Sequence, residues 1–140
     1  IMNLLINIDS FDTRYIIYSP PTKNKIKPNG VFYKMLYSNI SFTISSIYIH
    51  IPLDYLILNQ GVYIGMTKIG MLLVNNIEYQ LLNTFNNTSK KQIIYTQFEP
   101  PKSYSKHKIK SIQLLLSGIW ETDLKIGVVY KYIIQYKYQP

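Results

Sequence analysis

The sequence predicts a mainly β fold, a small barrel of the OB type or a β-sandwich, carrying one short helix. Three observations lead there. Val, Ile, Thr, Tyr and Phe fill the patterned segments. Apolar residues recur with period two in the longest of them. Turn chemistry separates the segments at Pro20-Pro21, Pro28-Asn29-Gly30, Ser38-Asn39, Asn59-Gln60-Gly61, Pro100-Pro101 and Thr122-Asp123. A chain of 140 residues is long enough to bury a core, and no linker interrupts it, so a single domain over residues 1–140 is expected.

The elements follow in order. The apolar start has no basic flank and runs into Asp9, so Leu4–Ile8 reads as a first strand and not as a signal peptide. The Ile ahead of Met2 leads to the expectation that residue 1 is not the native start. Strands are predicted at Arg14–Tyr18 and Val31–Tyr37. The stretch Ile40–Ile51 changes phase: Ile40, Phe42 and Ile44 have one parity, Ile47, Ile49 and Ile51 the other. Either a bulge at Ser45-Ser46 or a break between two short strands reconciles the triplets. Gly61–Ile64 is a short strand. Ile77, Leu81, Leu82 and Phe85 fall on one helical face of the stretch from Asn76, with Asn75 or Asn76 as cap.

Strands are predicted again at Gln92–Phe98, Lys108–Leu116 and Lys125–Tyr138. The last is strictly periodic: Tyr130, Tyr132, Ile134, Tyr136 and Tyr138 alternate with Lys131, Ile133, Gln135 and Lys137. A tyrosine ladder can be a stacking platform, but is more often a half-buried strand face. Tyr130 and Tyr132 are therefore expected to face inward and Tyr138 to be partly exposed. Trp120 is expected to anchor the core at a strand end, before a turn that Glu121 and Asp123 begin.

The composition is basic and aromatic. Fourteen Lys and one Arg face seven acidic residues, for a net charge of +8, and 14 Tyr accompany five Phe and one Trp. Lys neutralises phosphates and aromatic faces stack on bases, so a polyanionic partner is indicated. Ile, Asn, Lys and Tyr are abundant and Ala is absent, which points to an AT-rich genome and accounts for part of the Lys and Tyr excess. The absence of Cys excludes disulfides, thiolate metal sites and Cys nucleophiles. No apolar run approaches the length of a membrane-spanning helix.

Two basic clusters stand out. Lys23, Lys25 and Lys27 sit in a Pro/Gly-bounded loop, where they either follow a phosphate backbone or project into solvent. Lys102, Tyr104, Lys106, His107, Lys108 and Lys110 form the denser cluster. Lys106, Lys108 and Lys110 have strand spacing, which projects them to one side as a phosphate-binding stripe or as a charged sheet edge. Lys131 is a further candidate on the last strand. No catalytic constellation is visible. His50 and His107 are the only histidines, the carboxylates are scattered, and no spacing suggests a metal site, a cofactor or a small-molecule substrate.

The run Ile112-Gln-Leu-Leu-Leu-Ser-Gly-Ile-Trp-Glu-Thr-Asp-Leu-Lys-Ile-Gly-Val-Val-Tyr-Lys-Tyr, together with Tyr15–Lys25 and Ile47–Ile51, resembles small β-rich proteins of nucleocytoplasmic large DNA viruses. That resemblance implies either a single-stranded DNA-binding protein of OB type or a virion component, located in the host cytoplasm or the virion. Such binding proteins often end in an acidic tail, whereas this chain ends Tyr136-Lys-Tyr-Gln-Pro140. The expected function is non-catalytic, sequence-tolerant binding of single-stranded nucleic acid. A minor capsid or assembly component that buries a Tyr-rich surface against other viral proteins is the alternative. A basic organellar ribosomal protein fits the same composition.

Overall fold

The computed structural model describes residues 4–8, 10–23, 30–38, 43–44, 47–85, 90–93 and 104–137. The chain forms β1 (Leu4–Asn7), β2 (Ile16–Tyr18), β3 (Thr22–Lys23), β4 (Val31–Ser38), β5 (Thr43–Ile44), β6 (Ile47–Ile51), β7 (Leu56–Asn59) and β8 (Val62–Met66). It continues through α1 (Lys68–Phe85), β9 (Lys91–Ile93), β10 (Tyr104–Ser105), β11 (Ile109–Glu121) and β12 (Lys125–Tyr136). The fold is mainly β with one helix. The sheets mix parallel and antiparallel pairs and do not close into a barrel.

The main sheet runs β1-β6-β11-β12-β9. The long hairpin β11–β12 is its spine. On the other side of β11, β6 pairs with Ile112–Leu116 and β4 takes over at Gly118–Glu121. β4 in turn pairs with β2, β3 and β5. The residues Ile40–Ile51 thus include two strands with different partners. β5 pairs with β4, while β6 lies between β1 and β11. Of the two readings of the phase change, the break is the one realised; Ser45 and Ser46 lie outside the described residues.

One face of this sheet is the core. Ile47, Ile49 and Ile51 of β6 are fully buried, and they align across the strands with Leu116, Leu114 and Ile112 of β11. Each such side chain contributes roughly 1.5–3 kcal/mol when buried. Two register shifts in β11, between Ile109 and Ser111 and between Leu116 and Gly118, explain why β11 lacks simple alternation. Each bulge lets the phase change while Ile109, Ile112, Leu114, Leu116 and Ile119 all stay inward. β12 has no bulge of its own. Ile126 and Val128 are buried, and Tyr130, Tyr132 and Ile134 pack partly buried against the core, as the inward reading of Tyr130 and Tyr132 expects. Burial pushes the Tyr132 hydroxyl well above the usual tyrosine range, with Tyr130 and Glu78 adding to the effect.

The helix covers that face through Val74, Ile77, Leu81 and Leu82. It begins earlier than the sequence indicates. Thr67 is the cap: its Oγ1 accepts from the Gly70 N–H at 3.1 Å, and its carbonyl accepts from the Met71 N–H at 3.0 Å. Asn75 and Asn76 are interior. The helix end is held by rings, since Phe85 meets Tyr18 and Tyr33 edge-on at 4.6 and 4.7 Å.

A second sheet, β10-β8-β7, was not foreseen beyond β8. β7 and β8 are joined by a two-residue turn in which Gln60 and Gly61 both have positive φ, 51° and 77°. That is a type I′ hairpin turn, for which a Gly at the second position is favoured. Among the described residues no helix is long and apolar enough to cross a membrane.

Candidate nucleic-acid interface

The outward face of the main sheet carries the site. Because β12 alternates strictly, Lys125 and Lys131 share a face opposite to Ile126, Val128, Tyr130 and Tyr132, and Lys137 follows the last residue of the strand with the same parity. All three lysines are exposed. They are spaced six residues apart, roughly 20 Å along an extended strand. Lys131 pairs across the sheet with Leu115, which is followed by Tyr48 and Leu5.

At one end of this track lies the second basic cluster. Lys106, His107 and Lys108 do not form a strand with Lys110. They make a turn in which the Lys108 N–H donates to the Ser105 carbonyl at 3.0 Å and the His107 N–H to Ser105 Oγ at 3.3 Å. Lys110 falls at the first register shift of β11. The stripe expected from strand spacing is therefore a cluster at a turn. Ser105, which supplies both acceptors, closes the chain on itself before an extended run of lysines can develop. The cluster is fixed at two further points: the Lys106 N–H donates to the Gly61 carbonyl at 2.8 Å, and the Lys137 N–H to the Lys108 carbonyl at 2.7 Å.

Tyr104 flanks the turn, with its ring centroid 6.2 Å from that of Tyr136. Burial raises the Tyr104 hydroxyl, and the neighbouring Tyr136 hydroxyl raises it further. Tyr136 is 57% exposed, so among the described ladder tyrosines it is the one open to a partner. Sequence reading missed Lys125, Lys137 and Tyr136 as site residues. The signal was present in the even, six-residue spacing of the lysines on a period-two strand.

The first basic cluster lies elsewhere. Lys23 is exposed on β3 and pairs with Val31, which pairs with Glu121 at the far end of β11 from Lys106–Lys110. It shares that end with Lys91 and Lys125, which are direct partners. Lys25, Lys27 and Lys102 lie outside the described residues, as does Tyr138.

Two acids are engaged by partners other than the lysines of the track and turn. Asp12 pairs with Arg14 at 2.7 Å, and this contact holds its carboxyl below the usual range. Glu121 pairs with Lys90 at 3.1 Å and accepts from the Tyr33 hydroxyl at 3.2 Å. Glu78, a residue of α1, is buried. Neither ion pair draws on Lys106, Lys108, Lys110, Lys125, Lys131 or Lys137. His50 sits on the outward face directly across from Gln113, with Nδ1 enclosed and without a hydrogen-bond partner. Among the described residues no group of three or more His, Asp or Glu could hold a metal ion. Comparison with known protein families, with curated proteins and with solved structures finds no match to this chain.

Proposed function

We propose that this protein binds single-stranded nucleic acid, without catalysis, along the outward face of β12. The observation that carries the reading is the six-residue spacing of Lys125 and Lys131 on one face of β12 and of Lys137 just past its end, with Lys108 tied to Lys137. A row of exposed cations at fixed intervals suits a phosphate backbone, whose contacts position the chain without reading its sequence. The single-stranded form follows from what lies between the cations. Tyr48, Ile133 and Leu115 are aromatic or apolar, and only unpaired bases can lay their faces against them. The test is fluorescence anisotropy at low salt with a labelled single-stranded oligonucleotide and its duplex. Tighter binding of the single strand is expected. Equal binding of both forms would remove the single-strand assignment, and no binding to either would remove nucleic acid as the partner.

A second reading has its own observation. Ile69 and Leu72 of α1 are 62% and 67% exposed. Leu72 also lines an apolar depression of about 360 Å³ with Met66 and Met71. Exposed apolar surface of this kind marks protein contacts. This hypothesis, that α1 packs against a protein subunit, fits an assembly component. Light scattering on the wild type and on Leu72→Asp tests it: association lost in the variant supports it, and a monomeric wild type argues against self-association.

A further inference from the structure

Between Lys131 and Lys137 the outward face of the sheet holds a depression of about 330 Å³, lined by Leu5, Tyr48, Gln113, Ile133 and Gln135. Its β12 wall consists of the two outward residues that separate those lysines. We propose that this depression is a subsite for one pyrimidine base bearing carbonyl oxygens, thymine or uracil, of a strand whose phosphates lie on Lys131 and Lys137. The proposal rests on the single-strand reading above.

Three features select that ligand. Leu5 and Ile133 give an apolar floor and Tyr48 an aromatic side, which suits a flat ring. The polar lining is amide, not charged, which suits a neutral heterocycle. The two amides are also arranged to be complementary. Ser111 Oγ donates to Gln135 Oε1 at 3.0 Å, which uses one lone pair of that oxygen and leaves the NH2 group to donate. A base carbonyl is the matching acceptor. Gln113 is only 8% exposed, and it lines the depression beside Gln135. An amide both accepts and donates, so Gln113 can meet the ring N–H and the second carbonyl of thymine or uracil. Adenine offers no carbonyl to Gln135. The placement fits the backbone as well: Ile133 and Gln135 each lie two residues, roughly 7 Å, from the nearer lysine.

The experiment compares affinities for oligo-dT, oligo-dA and an abasic strand of equal length, for wild type, Gln135→Ala and Ser111→Ala. Gln135 and Ser111 are at the surface or half-buried, and melting curves check that both variants fold. Wild type is expected to prefer oligo-dT over oligo-dA by about tenfold. Gln135→Ala should erase the preference while leaving affinity for the abasic strand unchanged, and Ser111→Ala should reduce the preference by releasing the amide. Equal affinity of wild type for all three strands, with steep salt dependence, would overturn the subsite while leaving the phosphate track standing. Absence of binding to any strand would overturn both.

Discussion

The backbone N–H of Lys137 donates to the carbonyl of Lys108 at 2.7 Å, so the end of β12 and the basic turn move as one piece. The turn is also hydrogen-bonded to Gly61 of the second sheet. Cations at both ends of these bonds are thus presented from a braced backbone, which lowers the ordering cost of binding a polyanion.

The first consequence concerns the turn. Changing Lys106, Lys108 and Lys110 together to Ser is expected to weaken oligonucleotide binding for all sequences alike, because phosphate contacts carry no base information. All three are exposed, so the melting temperature should hardly change. Circular-dichroism melts and anisotropy titrations on the same sample check this. An unfolded variant would make these lysines structural.

Tyr132 and Tyr136 share a strand face and should behave differently. Tyr132 packs against the core beneath α1, so Tyr132→Ala should destabilise the fold by roughly 3 kcal/mol. Tyr136 is exposed beside the basic turn, so Tyr136→Ala should leave stability nearly unchanged and cost about 1–3 kcal/mol of binding if it stacks on a base. Denaturant melts and binding titrations on both variants separate the two roles. A stable Tyr132→Ala protein would contradict the packing described here.

Two glycines of the hairpin admit no side chain without movement. A Cβ on Gly127 would lie 2.5 Å from Nε1 of Trp120. A Cβ on Gly118 would collide with the Tyr33 carbonyl oxygen and the Phe32 ring. Overpacking of this kind costs about 1–3 kcal/mol. Gly118→Ala is expected to be the more damaging in chemical denaturation, because backbone cannot swing aside as a ring can. Equal stability of the Gly118→Ala variant and wild type would show that β4 does not lie against β11 as described.

The helix start gives a smaller effect. Thr67→Ala removes the oxygen that satisfies the Gly70 N–H and should cost about 1 kcal/mol. Asn76→Ala, at the middle of α1, should cost far less. Paired denaturant titrations distinguish Thr67 from Asn76 as the cap.

Much of the fold was legible where one period held. The final strand follows from parity, which also places Tyr130 and Tyr132 on one face; for Ile40–Ile51 parity marks the phase change but leaves a bulge and a break equally open. The rest was obscured by identifiable causes. Bulges at Lys110 and Ser117 scramble the alternation of β11, so its length beyond Leu116 could not be counted from pattern alone. The first half of α1, with Gly70 and exposed Ile69 and Leu72, lacks a clean amphipathic stripe, and its cap is a Thr eight residues ahead of Asn75. The basic cluster was located by composition, but its turn conformation depends on hydrogen bonds to Ser105 and Gly61 that strand spacing does not encode. The role of Lys137 required knowing which residue of β12 meets the turn, and each bulge shifts that by one.

The most direct measurement is the salt dependence of oligonucleotide affinity for wild type and for Lys125, Lys131 and Lys137 all changed to Ser. Each phosphate neutralised on a single strand contributes a log–log slope of about −0.7. Removing these three lysines should therefore make the slope shallower by about 2 and weaken binding at low salt, with the fold intact. An unchanged slope in the folded triple variant would contradict the assignment of β12 as the phosphate track.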